Sequence, residues 1–475
     1  MKLNAMIDFW AKLKPSAPAI VMFDVVITYQ ALSHAINAVA GHLSGKIADM
    51  TAPAGILIDH PARNIVVNCA LMRLGIPSII IRENQVDYLK KIGARTLVYD
   101  GQVKPAVGLA LVRIEAPWFT DQRPPKVNRR GTARRTKLTF TSGTTGVPKA
   151  ISFADEDIVG RSNYLRAATG DVPWMRSLIV PGLSTNFAFS QIALAFEMGR
   201  TISFGGNPDE ITRAIEVFRI DVLICSPQQA LSLSDFLAQT KQHLRALKCV
   251  FLAGAVPTAT LVAKINTYLC RDVVCVYAAT EIGITAFGTW DKIKHVEGAV
   301  GFICPWANVE CVDENGNALP PGKTGEIRIK TPHPGLLYGS GPDPDDAIDT
   351  WFYPGDRGLI TPDGMLVIHG RATDTINKGG MKLSSSIIDQ CLAGVSGVQD
   401  AAVCSIPGSG GTDEIVALVI AVQPVALATL NAALKAAKIE ATLDHVQMVD
   451  KIPRNETGKV NREELRQLAR LRRGN

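Results

Sequence analysis

A chain of 475 residues is too long for one small core, so two or more domains are expected; 47% hydrophobic residues with 40 glycines and 27 prolines fit a loop-rich α/β enzyme. A formal charge of +6 is small for this length and gives no argument for nucleic acid, whereas a nucleotide or an acidic carrier would suit it equally. Nine cysteines without a C-x-x-C pair, the nearest spacing being Cys270 to Cys275, point to reduced, mostly buried thiols in a cytoplasmic protein rather than to disulfides or a metal-ligand set.

The N-terminus has charges interrupting every apolar run, so a signal peptide is not expected. From Ile20 to Tyr99 short apolar runs (Gly55 to Ile58, Ser78 to Ile81, Thr96 to Val98) alternate with helical stretches (Gln30 to Lys46, Arg63 to Leu74), the pattern of a parallel sheet covered by helices. Val107 to Arg135 reads as irregular. Its arginines, Arg123, Arg129, Arg130, Arg134 and Arg135, read as a solvated loop.

Leu138 to Ile151 reads LTFTSGTTGVPKAI: an apolar, β-prone lead-in, a glycine- and hydroxyl-rich loop, and a strand resuming at Ala150. Glycines permit positive φ and close backbone approach, so successive N–H groups and four hydroxyls can converge on an anion, with Lys149 adding positive charge. Phosphate is the natural guest. The loop is not G-x-x-x-x-G-K-[ST], because Pro148 precedes the lysine and Ala150 follows it.

Helices at Asp155 to Ala168, Phe187 to Met198, Asp209 to Phe218, Gln228 to Gln239 and Thr258 to Leu269 then alternate with strands at Leu178 to Val180, Thr201 to Phe204, Val222 to Cys225, Cys249 to Leu252 and Val273 to Val276. Two uncharged stretches, Ser177 to Phe196 and Ile415 to Leu434, are broken by Pro181 and Pro424, and we read them as core segments, not membrane spans. The strand at Val273 ends in Tyr277, Ala278, Ala279, Thr280 and Glu281; ligands gather at such strand ends, where Thr280 can bond phosphate and Glu281 can hold Mg²⁺. Gly298 to Ile329 has β texture with turns at Glu314-Asn315-Gly316 and Pro320-Pro321-Gly322. Tyr353-Pro354-Gly355-Asp356, Gly370-Arg371-Ala372-Thr373-Asp374 and Lys378-Gly379-Gly380-Met381-Lys382 follow. A compact run of helices and a strand then leads to Pro453-Arg454-Asn455-Glu456-Thr457-Gly458-Lys459-Val460-Asn461-Arg462, where a Thr-Gly turn presents Lys459.

Taken in this order, between Thr139 and Arg462, the motifs resemble those of the adenylate-forming superfamily: acyl- and aryl-CoA synthetases, adenylation domains of peptide synthetases, and luciferases. The resemblance implies an α/β fold. Residues 1–373 would form a large ATP- and acyl-binding domain of layered α/β sheets plus a small β-barrel-like part, and residues 374–475 a small mobile α+β lid carrying the catalytic lysine. It also implies the roles. Thr141, Ser142, Gly143, Thr144, Thr145, Gly146 and Lys149 would cradle the ATP phosphates. Gly254, Ala255, Tyr277 and Ala278 would lie beside the nucleotide, and Arg371 would reach ribose or phosphate. Asp356 would take both ribose hydroxyls, since a carboxylate accepts two O–H bonds at once. Lys459, Thr280 and Glu281, the last through Mg²⁺, would be catalytic; Ser184, Thr185 and Phe187 would line the acyl pocket; Asp374 would be the hinge; Gly379 and Gly380 would meet the thiol arm.

The chain departs from the family pattern in three places. Ala278 replaces the usual glycine, adding a methyl that shortens the acyl pocket; Asn377 stands where lysine is common; and Ser386-Ile387-Ile388 stands where Glu-Ile-Glu is usual. Amino-acid-activating relatives place an aspartate in the segment matching Pro181 to Ser190, which here contains no acid. The implied activity is an AMP-forming acid–thiol ligase of the acyl-CoA synthetase type, using ATP, Mg²⁺ and coenzyme A on a small carboxylic acid, with no nucleic-acid partner. An acyl-carrier-protein ligase or a stand-alone adenylation enzyme shares every motif up to the thiol. A P-loop kinase would instead transfer the γ-phosphate without releasing pyrophosphate, and a non-catalytic nucleotide binder would have no use for Lys459.

Overall fold

The computed structural model describes residues 2–102, 108–127, 130–141, 149–169, 175–339, 350–371, 375–378, 381–407, 413–437, 439–454 and 460–471. Among these, strands assemble into sheets of thirteen, seven, three and two strands. The largest has a parallel centre, in which Asp272–Ala279, Cys249–Ala253, Val222–Cys225, Arg176–Ile179, Thr201–Phe204 and Pro18–Val21 lie side by side. Val222–Cys225 is buried at every position, as expected for a strand covered on both faces, and so it shows an unbroken apolar run rather than alternation. Each fully buried Leu or Ile there contributes about 2 kcal/mol of transfer free energy.

The connecting helices start where the sequence supplies a cap. Thr185, Asn207, Ser226 and Thr258 each accept a hydrogen bond from the backbone N–H three residues on, and Pro208 and Pro227 occupy the first helical turn, where no N–H is missed. On one side of the parallel centre the sheet continues as antiparallel strands, ending with Gly325–Lys330 and Asn308–Val312 at the edge. This is the β-textured region.

The seven-stranded sheet runs Leu336–Leu337, Lys149–Phe153, Lys137–Thr141, Ser78–Ile80, Ala54–Leu57, Thr96–Tyr99, Ala110–Arg113. Its last strand falls inside the stretch expected to be irregular, and Trp118, just beyond, is buried with its ring stacked on His42 at 4.7 Å. Arg135 is also not a solvated loop residue. It is half-buried, ion-paired to Asp157 at 3.1 Å, and donates to the Ser152 carbonyl at 2.6 Å.

In the C-terminal region, Val398–Pro407, Asp413–Ala421 and His445–Met448 form the three-stranded sheet. Side chains alternate across it with a period of two: Ala401, Val403, Ala417 and Val419 meet helices Ser385–Ala393 and Leu427–Ala436, while Ala402, Cys404, Val416 and Leu418 meet helix Arg462–Leu471. Both faces are therefore sealed. The two uncharged stretches resolve into a strand followed by a helix, and no helix of the described residues is long and apolar enough to cross a membrane. All nine cysteines are free thiols, most of them buried.

Candidate active site

The strand ends of the thirteen-stranded sheet, the root of the glycine-rich loop and the C-terminal region enclose a cleft of about 1670 Å³. Thr141 and Lys149 pair across the hairpin and both line the cleft. The loop itself, with Ser142, Gly143, Thr144, Thr145 and Gly146, lies outside the described residues. Gly254, with φ +102°, and Ala255 follow a fully buried strand and line the wall, and Tyr277, Ala278, Thr280 and Glu281 line it from the neighbouring strand.

That strand is longer than expected. Asp272–Ala279 continues through the tyrosine and both alanines because it folds back as a hairpin with Gly283–Thr289, with a register shift between Tyr277 and Ala278. The shift re-aims the tyrosine, whose hydroxyl donates to Asp356 Oδ2 at 2.5 Å. Asp356, only 9% exposed, is thus held in place on the cleft wall.

Ser184, Thr185 and Phe187 lie on the cleft as well, at the start of helix Asn186–Glu197. The Thr185 hydroxyl is already engaged, donating to the Gly182 carbonyl at 2.8 Å and accepting from Ala188 N–H at 3.2 Å, so it shapes the pocket by capping the helix. The backbone of Arg371 pairs with Asp356; its side chain, together with Asp374, Gly379, Gly380 and Lys459, lies outside the described residues. The roots of the Lys459 loop are described. Arg454 and Val460 bridge to each other, and both line the cleft.

Three structural supports were not legible as such. Arg454 makes a two-pronged contact with Asp400, at 2.7 and 2.9 Å, and Arg462 bonds the Asp389 carboxylate and the Val403 carbonyl. Burial pushes the Asp389 carboxyl up and Arg462 opposes that shift. The two arginines flanking the lysine loop therefore anchor it, and the signal available in sequence was that two such arginines need two carboxylates. Arg454→Ala is expected to destabilise the C-terminal region by about 2–3 kcal/mol in urea unfolding, because the half-buried Asp400 side chain would lose its guanidinium partner. Third, Arg161 on helix Asp155–Thr169 reaches the backbone carbonyls of Thr280 and Glu281 at 2.8 and 2.6 Å.

Among the described residues no cluster of three or more His, Cys, Asp or Glu exists that could enclose a metal. Mg²⁺ does not require one, since it keeps several waters and binds through one or two carboxylates plus substrate phosphates. Thr280 and Glu281 both line the cleft, and a hydroxyl and a carboxylate are the donor types that fit such a set.

The sheets, with a cleft open at their strand ends, define the class: the fold of an adenylate-forming enzyme. The chain belongs to the AMP-binding enzyme family, whose pattern matches residues 7–338. It is 25% identical to the fatty acid–acyl-carrier-protein ligase ScoC of Streptomyces coeruleorubidus, across 97% of this chain and 95% of that one. It is 28% identical to enterobactin synthase component E of Escherichia coli across 69% of this chain, which corresponds to 63% of that protein. The fold matches O-succinylbenzoate coenzyme A synthetase of Bacillus subtilis in complex with AMP, with a TM-score of 0.85 at 18% identity and 97% coverage of both chains.

Proposed function

We propose that the protein is an AMP-forming acid–thiol ligase. The observation that carries this reading is a single cleft lined by the roots of the phosphate loop, Thr280 and Glu281, the Tyr277–Asp356 pair and the roots of the Lys459 loop. A substrate carboxylate oxygen attacks the α-phosphorus of ATP, the bond to pyrophosphate breaks, and an acyl-AMP remains. Negative charge builds on the phosphoryl oxygens and the leaving group, so fixed cations and donors supply most of the stabilisation. Lys149 and the loop hydroxyls face the phosphates, Asp356 holds the ribose, and Lys459 bridges toward the carboxylate. Mg²⁺ held at Glu281 would neutralise phosphate charge. A thiol then attacks the acyl carbonyl and AMP departs. In this reading residues 374–475 act as a lid that turns about Asp374, replacing Lys459 by the Gly379–Gly380 turn.

Coenzyme A is the acceptor we assign first. A carrier-protein thiol is the second reading, favoured by one observation: the relative matched along 97% of the chain is a carrier-protein ligase. We place the enzyme in the cytoplasm, in keeping with its free thiols. ATP–pyrophosphate exchange with a panel of carboxylic acids should proceed only with Mg²⁺ and should favour neutral-tailed acids over their α-amino analogues. An ammonium buried beside Pro181–Ser190 without a carboxylate would cost several kcal/mol. Formation of ADP instead of AMP, or a higher kcat/KM for amino acids, would overturn the reading.

A further inference from the structure

We infer that Arg161 is a positioning residue for adenylation, setting where Thr280 and Glu281 stand relative to the phosphate loop. The inference rests on the function proposed above and adds a residue that no motif contains. Arg161 is only 9% exposed. Its Nε donates to the His333 carbonyl at 2.7 Å, Nη1 to the Thr280 carbonyl at 2.8 Å and Nη2 to the Glu281 carbonyl at 2.6 Å. All three acceptors are backbone oxygens, and they belong to two different segments of the chain. Such a guanidinium fixes a distance.

The other end of that distance is the loop hairpin. The guanidinium lies over the ring of Phe153 at 4.7 Å, and Phe153 ends the strand that begins at Lys149. Residues 331–338 bind the same two walls. On the hairpin side, Leu336 pairs with Ser152, the Ser152 hydroxyl donates to the Leu336 carbonyl at 3.0 Å, and Tyr338 N–H donates to the Ala150 carbonyl at 2.8 Å. On the other side, Thr331 donates through its hydroxyl to the Ile282 carbonyl at 2.9 Å, and Gly335 N–H donates to the Glu281 carbonyl at 2.6 Å. Arg161 stands where this strap, the hairpin and the Glu281 segment meet.

A purely structural account explains the arrangement less well. The nearby carboxylate, Asp157, is contacted by Arg135 at 3.1 Å and His333 at 3.5 Å; among the described residues no carboxylate pairs directly with Arg161, and only the longer-range attraction of Asp157 and Glu281 opposes its desolvation. Burial lowers its pKa to about 10, which still leaves it cationic at neutral pH. Lysine cannot replace it, because a compact ammonium cannot reach three separated carbonyls in a plane. What the arrangement gains is a Thr280–Glu281 segment held at fixed separation from Lys149, and in phosphoryl chemistry a displacement near 1 Å costs about 10²-fold in rate.

The test compares Arg161→Ala and Arg161→Lys in the full chain, measuring ATP–pyrophosphate exchange, its Mg²⁺ dependence, and thioester formation from supplied acyl-AMP. We expect kcat for exchange to fall about 30- to 100-fold in both variants, with KM for the acid held within about threefold and half-saturating Mg²⁺ raised. Thioester formation should stay within about threefold of the unsubstituted chain, and added guanidinium at about 20 mM should restore the alanine variant about tenfold without restoring the lysine variant. A folded Arg161→Ala chain with near-normal exchange, or one slowed equally in both half-reactions, overturns the role while leaving the ligase reading intact. Absence of exchange in the unsubstituted chain overturns that reading, and the role of Arg161 with it. Should Arg161→Ala not fold, Thr331→Val removes only the hydroxyl bond from the strap to Ile282; it is expected to slow exchange about three- to tenfold with the second half-reaction unchanged, and no slowing rejects the proposal.

Discussion

Replacing Lys459 by alanine is expected to slow adenylation about 10²–10³-fold, equivalent to about 3–4 kcal/mol of lost transition-state stabilisation, by analogy with removal of one oxyanion donor. The lysine follows Gly458 in a stretch whose two roots, Arg454 and Val460, both line the cleft. The chain on either side is held, since Arg454 is clamped by Asp400 and Arg462, two residues past Val460, by Asp389. In the proposed mechanism, a cation on such a loop meets the carboxylate and α-phosphate as charge shifts between them. Thioester formation from supplied acyl-AMP should be nearly untouched, because the proposed lid rotation carries Lys459 away before the thiol attacks. Asp374→Pro should show the opposite pattern, since proline fixes φ and stiffens the pivot. Equal slowing of both half-reactions in Lys459→Ala would rule out the rotating lid.

Lys137→Met should stabilise the protein at pH 7 by about 3 kcal/mol, with the gain shrinking toward pH 10. Lys137 is 1% exposed, on the strand leading into the glycine-rich loop; its ammonium donates to the Leu138 carbonyl at 3.0 Å and lies 4.9 Å from the Phe189 ring centroid. Burial lowers its pKa from 10.5 to about 7, opposed only weakly by the neighbouring Cys69 thiol. Between those two values the unfolded chain holds a proton that the native chain has released, so wild-type stability must rise with pH across that window; below pH 7 the penalty is present in full. Methionine has similar reach and no charge to desolvate. Urea midpoints recorded from pH 6.5 to 10 test this, and parallel curves for wild type and variant would show that the lysine is not paying a desolvation cost.

Most of the parallel layers were readable because their physics is local. Strands such as Val222–Cys225 and Thr201–Phe204 are short apolar runs bounded by breakers, and the helices between them carry their own caps at Asn207 and Ser226. The described motif residues also line one cleft. What escaped was whatever depends on a partner distant in sequence. Arg135 looked like one more solvated arginine until Asp157 and the Ser152 carbonyl were beside it. The strand at Asp272 outran its motif because the hairpin partner that extends it comes afterwards. Arg161 and Asp389 sit among ordinary helical residues, and nothing within a few positions of either announces the carbonyls or the guanidinium they meet.

The C-terminal three-stranded sheet, sealed on both faces by its own helices, has a consequence for how such proteins diversify. Under the proposed function, a unit with a self-contained interior can change its outer surface, and with it the thiol donor it accepts, without disturbing the packing that shapes the acid pocket. In that reading, choice of acid and choice of acceptor are written on separate lengths of chain and can drift independently, so that exchanging the proposed lid, residues 374–475, between relatives should transplant the acceptor while the acid preference stays behind.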